Sequence, residues 1–144
     1  MNIRLLLLQV ALVLPLFASS PPAKADDQAA DKQAAVTAMG KWLGEIDAGS
    51  FADSWDDSAP DFQKALSSQQ WVDTCGKVRI PLGKILSRKL DSELYQASIP
   101  KVDGPVVIAQ FDSSFENLKF ARETVTFEKV GDTWKASGYY IKPR

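Results

Sequence analysis

Apolar residues recur along this chain at two spacings, and the change from one to the other falls in residues 79–90. Before it, apolar positions are three and four apart, as on one face of a helix; after it they alternate, as on one face of a strand. From residue 27 to about 48, the positions Ala35, Val36, Met39, Trp42, Leu43 and Ile46 define an apolar helix face, with Asp26 or Asp27 to cap its start and Gly49 to end it. Ser50, Phe51 and Trp55 repeat the signal in a short second helix. Pro60 breaks the pattern, and Phe62 and Leu66 mark a helical turn after it. Ser67 or Ser68 then caps a third helix through Trp71, Val72, Cys75 and Val78, which Pro81 and Gly83 stop.

Past Gly83 the twofold rhythm sets Leu86, Arg88 and Leu90 on one side of a first strand and Ser87, Lys89 and Asp91 on the other. Asp103-Gly104-Pro105 separates it from a strand over residues 106–115, Glu116-Asn117 leads into one reaching about Val130, and Gly131-Asp132 into one over 134–141. Links this short favour antiparallel neighbours. The expectation is an α+β domain: three N-terminal helices packed on a curved four-stranded antiparallel meander sheet.

Ahead of this domain the chain carries a leader pattern. A positive start to residue 4 precedes an apolar run over residues 5–17, shorter than the ~20 residues a membrane-spanning helix needs. A small-residue segment ending in Ala23-Lys24-Ala25 follows, the form a signal peptidase reads. Cleavage after Ala25 leaves residues 26–144 as one domain, large enough to fold without crosslinks. No cysteine lies near the cut, so no lipid anchor and no stable membrane anchor is expected, and the destination is the periplasm or the medium.

Composition narrows the chemistry. Cys75 is the single cysteine, so no intrachain disulfide forms, and its place in a helical pattern reads as core. There is no histidine, which excludes serine–histidine and cysteine–histidine catalysis and removes the commonest zinc ligand; no metal or cofactor is implied. The formal charge of −1, without a basic stripe, argues against nucleic acid.

Alternation places two charges among apolar neighbours. Arg88 shares a face with Leu86 and Leu90, and Glu123 with Ala121, Val125 and Phe127. If both faces turn toward the helices, each charge needs a partner, and each is the other's nearest candidate. One reading is a buried ion pair that fixes how the sheet sits on the helices. The other is a pocket whose floor presents Arg88 to an anionic ligand, with Glu123, Tyr140 and Arg79 orienting it, since a guanidinium donates two parallel hydrogen bonds to a carboxylate. Asp47, near a helix C-terminus, is opposed by the helix dipole unless a backbone N–H or Arg79 donates to it. Asp53, Asp56 and Asp57 lack calcium-loop spacing and read as solvated surface. The four tryptophans, at helical or alternating spacing, read as core rather than a binding groove, and of Tyr139 and Tyr140 only one can face inward.

The residues Trp42-Leu43, Ile46-Asp47-Ala48-Gly49, Ser54-Trp55, Trp71, Arg79-x-Pro81-Leu82-Gly83, Ser87-Arg88, Trp134-Lys135 and Gly138-Tyr139-Tyr140-Ile141 together resemble the bacterial exported family catalogued as domain of unknown function 4019. The resemblance covers nearly all of residues 26–144 and implies a small exported domain similar to the cystatin-like and nuclear-transport-factor-2-like cones. It carries over no catalytic residue. Three functions follow as expectations. The first is a non-catalytic module binding a small molecule, a peptide or an envelope protein. The second is a cone-fold isomerase or lyase using Glu123 or Asp47 as base, weakened by Arg88, which lowers a neighbouring carboxylate's pKa. The third is an assembly protein that forms a homodimer through its sheet.

Overall fold

A computed structural model describes residues 23–144. The expected leader lies outside the described residues except for its last three, which form the start of the first helix. Four α-helices, α1 (Ala23–Asp47), α2 (Phe51–Asp56), α3 (Pro60–Ala65) and α4 (Ser68–Arg79), precede a 3-10 turn at Ile80–Leu82. Four strands follow: β1 (Ile85–Gln96), β2 (Val106–Phe115), β3 (Leu118–Val130) and β4 (Thr133–Pro143). They form one antiparallel sheet in the order β1-β2-β3-β4, a meander. The domain is therefore α+β, with one more helix than the three expected. The turn at Phe62 is a full helix because Pro60 at its first position has the φ that a helix start requires and lacks the N–H that would go unpaired there.

Local chemistry accounts for the boundaries. Ser67 accepts from the Gln70 backbone N–H while the Gln70 side chain accepts from Ser67 N at 2.8 Å, a reciprocal cap that starts α4. Helix α1 starts earlier than Asp26 or Asp27 would cap it, with Asp26 inside its first turn. At the helix-to-strand change Gly83 takes φ +75°, and a Cβ there would stand 2.6 Å from Glu116 Oε2. Glu116 closes this joint by accepting from Lys84 N at 2.8 Å, and Asn117 Nδ2 donates to Pro81 O at 2.9 Å. The β2–β3 turn thus clamps the end of the helical half.

Helix α1 touches all four strands. Its buried row of Ala35, Met39, Trp42, Leu43 and Ile46 packs with Val107, Ala109, Phe111, Val125, Phe127 and Ala136 from the same sheet face. The tryptophans belong to this core. Trp42 stacks on Trp71 at 5.9 Å between centroids, and both indole N–H groups end on Ser54, Trp42 on its carbonyl at 2.7 Å and Trp71 on its hydroxyl at 2.9 Å. One buried serine in α2 therefore ties α1 to α4. Cys75 is buried, as a core residue would be.

Bulges interrupt the alternation and set which side chains face the helices. In β1 the register slips between Ile85 and Ser87, so Leu86 turns outward and is 62% exposed, while Ile85, Arg88 and Leu90 face inward. The expected sharing of a face by Leu86 and Arg88 is corrected by this extra residue. A second slip in β1 follows Leu90, and in β4 one falls between the partners of Thr126 and Phe127, where Ser137 is the additional residue. Continuing the alternation from Trp134 and Ala136 would bring Tyr140 inward; past the bulge it is Tyr139 that faces the core, and Tyr140 is 63% exposed.

Candidate functional site

The inward faces of β1, β2, β3 and β4 and the ends of α1 and α4 meet at a polar cluster inside an otherwise apolar layer. Glu123, in the middle of β3, is fully buried at 0% exposure and accepts four hydrogen bonds. Arg88 donates from Nε at 2.7 Å and from Nη2 at 3.1 Å, the Ser113 hydroxyl donates to Oε2, and the Tyr139 hydroxyl donates to Oε1 at 2.6 Å. A carboxylate has about four lone-pair sites, so this one is saturated.

The other edge of the same guanidinium serves Asp47, the last residue of α1. Arg88 Nη1 reaches Oδ2 at 2.7 Å and Nη2 reaches Oδ1 at 3.0 Å. Arg79, the last residue of α4, adds Nη2 to Asp47 Oδ1 at 3.0 Å and lies over the Phe115 ring, 4.4 Å from its centroid. Two guanidiniums thus offset the unfavourable field that the C-terminus of α1 places on Asp47. Arg79 meanwhile sits where a helix C-terminus favours a cation. Two positive and two negative groups make the cluster neutral as a whole.

Electrostatics keep its members in fixed states. Burial works against the Arg88 charge, but its hydrogen bonds to Asp47 and Glu123 outweigh it and hold the guanidinium pKa above its ordinary value. Burial, then the Glu123 carboxylate, pushes the Tyr139 phenol well above its ordinary value, so it stays a neutral donor.

Of the residues singled out from the sequence, Arg88, Glu123, Arg79 and Asp47 come together, and Tyr140 does not. Its place is taken by Tyr139. Ser113 was missed, although a serine in the inward row with Ala109, Phe111 and Phe115 marks a polar group that needs a partner. The depth of Arg79 was also legible: Trp71, Cys75 and Arg79 are four apart, the buried row of α4.

A second pair lies elsewhere. Glu45 on α1 stands beside Asp57, with its Oε2 buried and without a donor. Burial first, then Asp57 and Asp53, raise its carboxyl from 4.5 to about 7. Asp53, Asp56 and Asp57 are themselves exposed, as expected of solvated surface. The groove of about 400 Å³ here is walled by Trp42, Phe127 and Trp134 and flanked by Lys41 and Lys135. Among the described residues no group of three or more histidine, cysteine, aspartate or glutamate side chains could hold a metal ion, and no helix is long and apolar enough to cross a membrane.

Residues 38–139 match the family described as protein of unknown function DUF4019, and the chain belongs to that family. The match takes in Asp47, Arg79, Arg88, Ser113, Glu123 and Tyr139, the whole polar cluster. No curated protein matches the chain.

Proposed function

We propose that this chain is a non-catalytic binding module of the bacterial envelope, exported by its leader and built as a cone similar to the cystatin-like and nuclear-transport-factor-2-like folds. In this reading the polar cluster is a brace. It holds α1 and α4 against the sheet and keeps the end of the domain between α4 and β4 open for a small molecule. The observation that carries the reading is the saturation of Glu123 by four donors and the use of four of the five Arg88 N–H groups on two carboxylates. A general base needs a lone pair facing substrate, and a ligand-binding arginine needs an unused fork. Glu123 and Arg88 offer neither.

One observation favours acid–base chemistry instead. Glu45, raised to about 7 beside an aromatic groove, has the pKa such chemistry needs at neutral pH. Burial and the neighbouring Asp57 carboxylate, however, account for the raised value without a substrate, which makes a carboxyl–carboxylate pair the simpler account.

The test is a native mass spectrum of the protein taken from the envelope of its own cells. A monomer carrying a small additional mass is the expected result. A bare monomer contradicts the binding reading, and a bare dimer transfers the case to sheet-mediated assembly.

A further inference from the structure

The two edges of the sheet are built differently. β1 is broken by two bulges and carries Lys89, Asp91 and Glu93, features that discourage the addition of another strand. β4 is already covered at one point: Ser58 bridges to Ala136 in parallel, and Ala59 N donates to Ala136 O at 2.8 Å. Beyond that contact, residues 138–141 of β4 carry no charge.

Alternation fixes which backbone groups of this stretch are free. Arg144 N donates across to Phe120 O at 2.9 Å, and the register with β3 is regular from Gly138 to Pro143. Counting back, Lys142, Tyr140 and Gly138 pair with β3, so Ile141 and Tyr139 point their N–H and C=O groups away from it. Pro143 falls in the same outward set, where its missing N–H costs no ladder bond. Among the described residues, no group hydrogen-bonds to the Tyr139 or Ile141 backbone from that side.

A slot of about 190 Å³ lies between this edge and α4. Tyr139 and Tyr140 send their side chains to opposite faces of the sheet, yet both line the slot together with Ile141, so it runs along the backbone of β4. Trp71, Cys75 and Val78 supply the facing wall. The inward polar side chains are engaged elsewhere: Trp71 donates to Ser54, Tyr139 to Glu123 and Arg79 to Asp47. Tyr140 borders the mouth with its ring and hydroxyl exposed. What the slot offers is therefore an apolar wall beside unpaired backbone, the combination that an added strand uses. An engineered apolar cavity of about 150 Å³ takes benzene, so this one takes a single leucine- or phenylalanine-sized side chain. Ser58 and Ala59 occupy the same edge at Ala136, so a strand laid on residues 138–142 meets them head-on and ends there.

We infer that the edge of β4 beside α4 binds a short free peptide as an added strand, paired with the backbone of Tyr139 and Ile141 and with one apolar side chain in the slot. The inference rests on the binding-module reading and names the class of its small molecule: an apolar peptide of about five residues, matching the free stretch of β4, with one end against Ser58 and Ala59.

The test uses the isotope-labelled domain, NMR and amide hydrogen exchange, with the peptide Thr-Val-Leu-Val-Thr as probe. Two analogues carry N-methyl groups, one at the second and fourth residues and one at the third and fifth. Only one of these sets faces β4, so one analogue binds about tenfold or more weakly than the parent and the other binds like it. Bound peptide slows exchange of the Tyr139 and Ile141 amides and leaves that of Tyr140, already paired with β3, unchanged. A glycine tail abolishes binding when added at one end of the peptide and has no effect at the other. Val78→Trp fills the slot from a position 41% exposed, so it abolishes binding without lowering the melting midpoint.

Equal binding of the two N-methyl analogues, unslowed exchange at Tyr139 and Ile141, or binding that survives Val78→Trp overturns the added strand. Binding that tolerates a tail at both ends overturns the short free peptide in favour of a segment running through a larger protein. If no peptide binds but the native mass still carries a small addition, the peptide class fails while the binding-module reading stands. A bare native mass with no peptide bound removes both.

Discussion

Asp47 and Glu123 share a single guanidinium: each carboxylate takes two hydrogen bonds from one edge of Arg88, at 2.7 and 3.0 Å on the Asp47 side and 2.7 and 3.1 Å on the Glu123 side. The first acid ends a helix and the second lies in the middle of a strand. Their common partner therefore sets where the C-terminus of α1 sits on the sheet.

The two adjacent tyrosines separate burial from exposure. Tyr139→Phe deletes a hydroxyl that donates to a buried carboxylate and should lower unfolding free energy by about 1.5–3 kcal/mol. Tyr140→Phe, on the exposed face, should stay within about 0.5 kcal/mol of the parent. Urea unfolding of the two variants checks both values, and reversed effects would show that the β4 bulge is misplaced.

Arg88→Lys keeps the charge but replaces a planar two-edged fork by a single ammonium with three donors. It cannot serve both carboxylates with parallel pairs, so most of the stabilisation lost in Arg88→Ala should also be lost in the lysine variant. Thermal melts of the two side by side make the comparison.

At the joint between the helical and strand halves, Gly83→Ala meets both a left-handed φ of +75° and the Glu116 carboxylate. The expected loss is at least about 1 kcal/mol, more than glycine-to-alanine changes gain from reduced unfolded-state freedom. Glu116→Ala in the same background removes the carboxylate contact but leaves the Glu116 Cβ 2.9 Å away and the Lys84 N–H without its acceptor, so it should recover little, which a double-mutant cycle resolves.

Glu45 gives the domain a pH dependence of defined sign. Its carboxyl, at about 7 when folded against an ordinary 4.5, holds a proton more tightly in the folded state. The stability it contributes is therefore fully present below about 4.5 and is lost as pH rises through about 7. Melting midpoints should fall between pH 5 and pH 8, on the order of the window those pKa values set. Glu45→Gln, which removes the titrating proton, should flatten that slope, with Asp57, Asp53, Lys41 and Lys135 left as the nearby charges. An unchanged slope would remove Glu45 as its source.

The order of helices and strands was legible because the two periodicities are strong and the turn residues between strands are unambiguous. The Arg88–Glu123 pair was legible for a related reason, since a charge in an apolar alternation must find a partner. Tyr139 and Leu86 were not, because a bulge inserts one residue without a composition of its own and reverses every later side chain. Leu86 and Tyr140 look inward by counting and are outward by register. Arg79 as a donor to Asp47 was one of the alternatives open in the sequence; hidden was that the packing of α1 and α4 on the sheet brings both Arg79 and Arg88 to the one Asp47 carboxylate. Glu45, near the end of α1, and Asp57, which caps the end of α2, are brought together by the packing of the two helices, a proximity no periodicity encodes.

The central claim is that the cluster is a buried, mutually satisfied brace. The most direct measurement is urea unfolding of Glu123→Gln at neutral pH, because the amide keeps the shape and removes the charge that Arg88, Ser113 and Tyr139 address. A buried pair broken on one side costs about 3–5 kcal/mol, so the account predicts a midpoint lowered accordingly with the denaturant slope unchanged. An unaltered midpoint would contradict it.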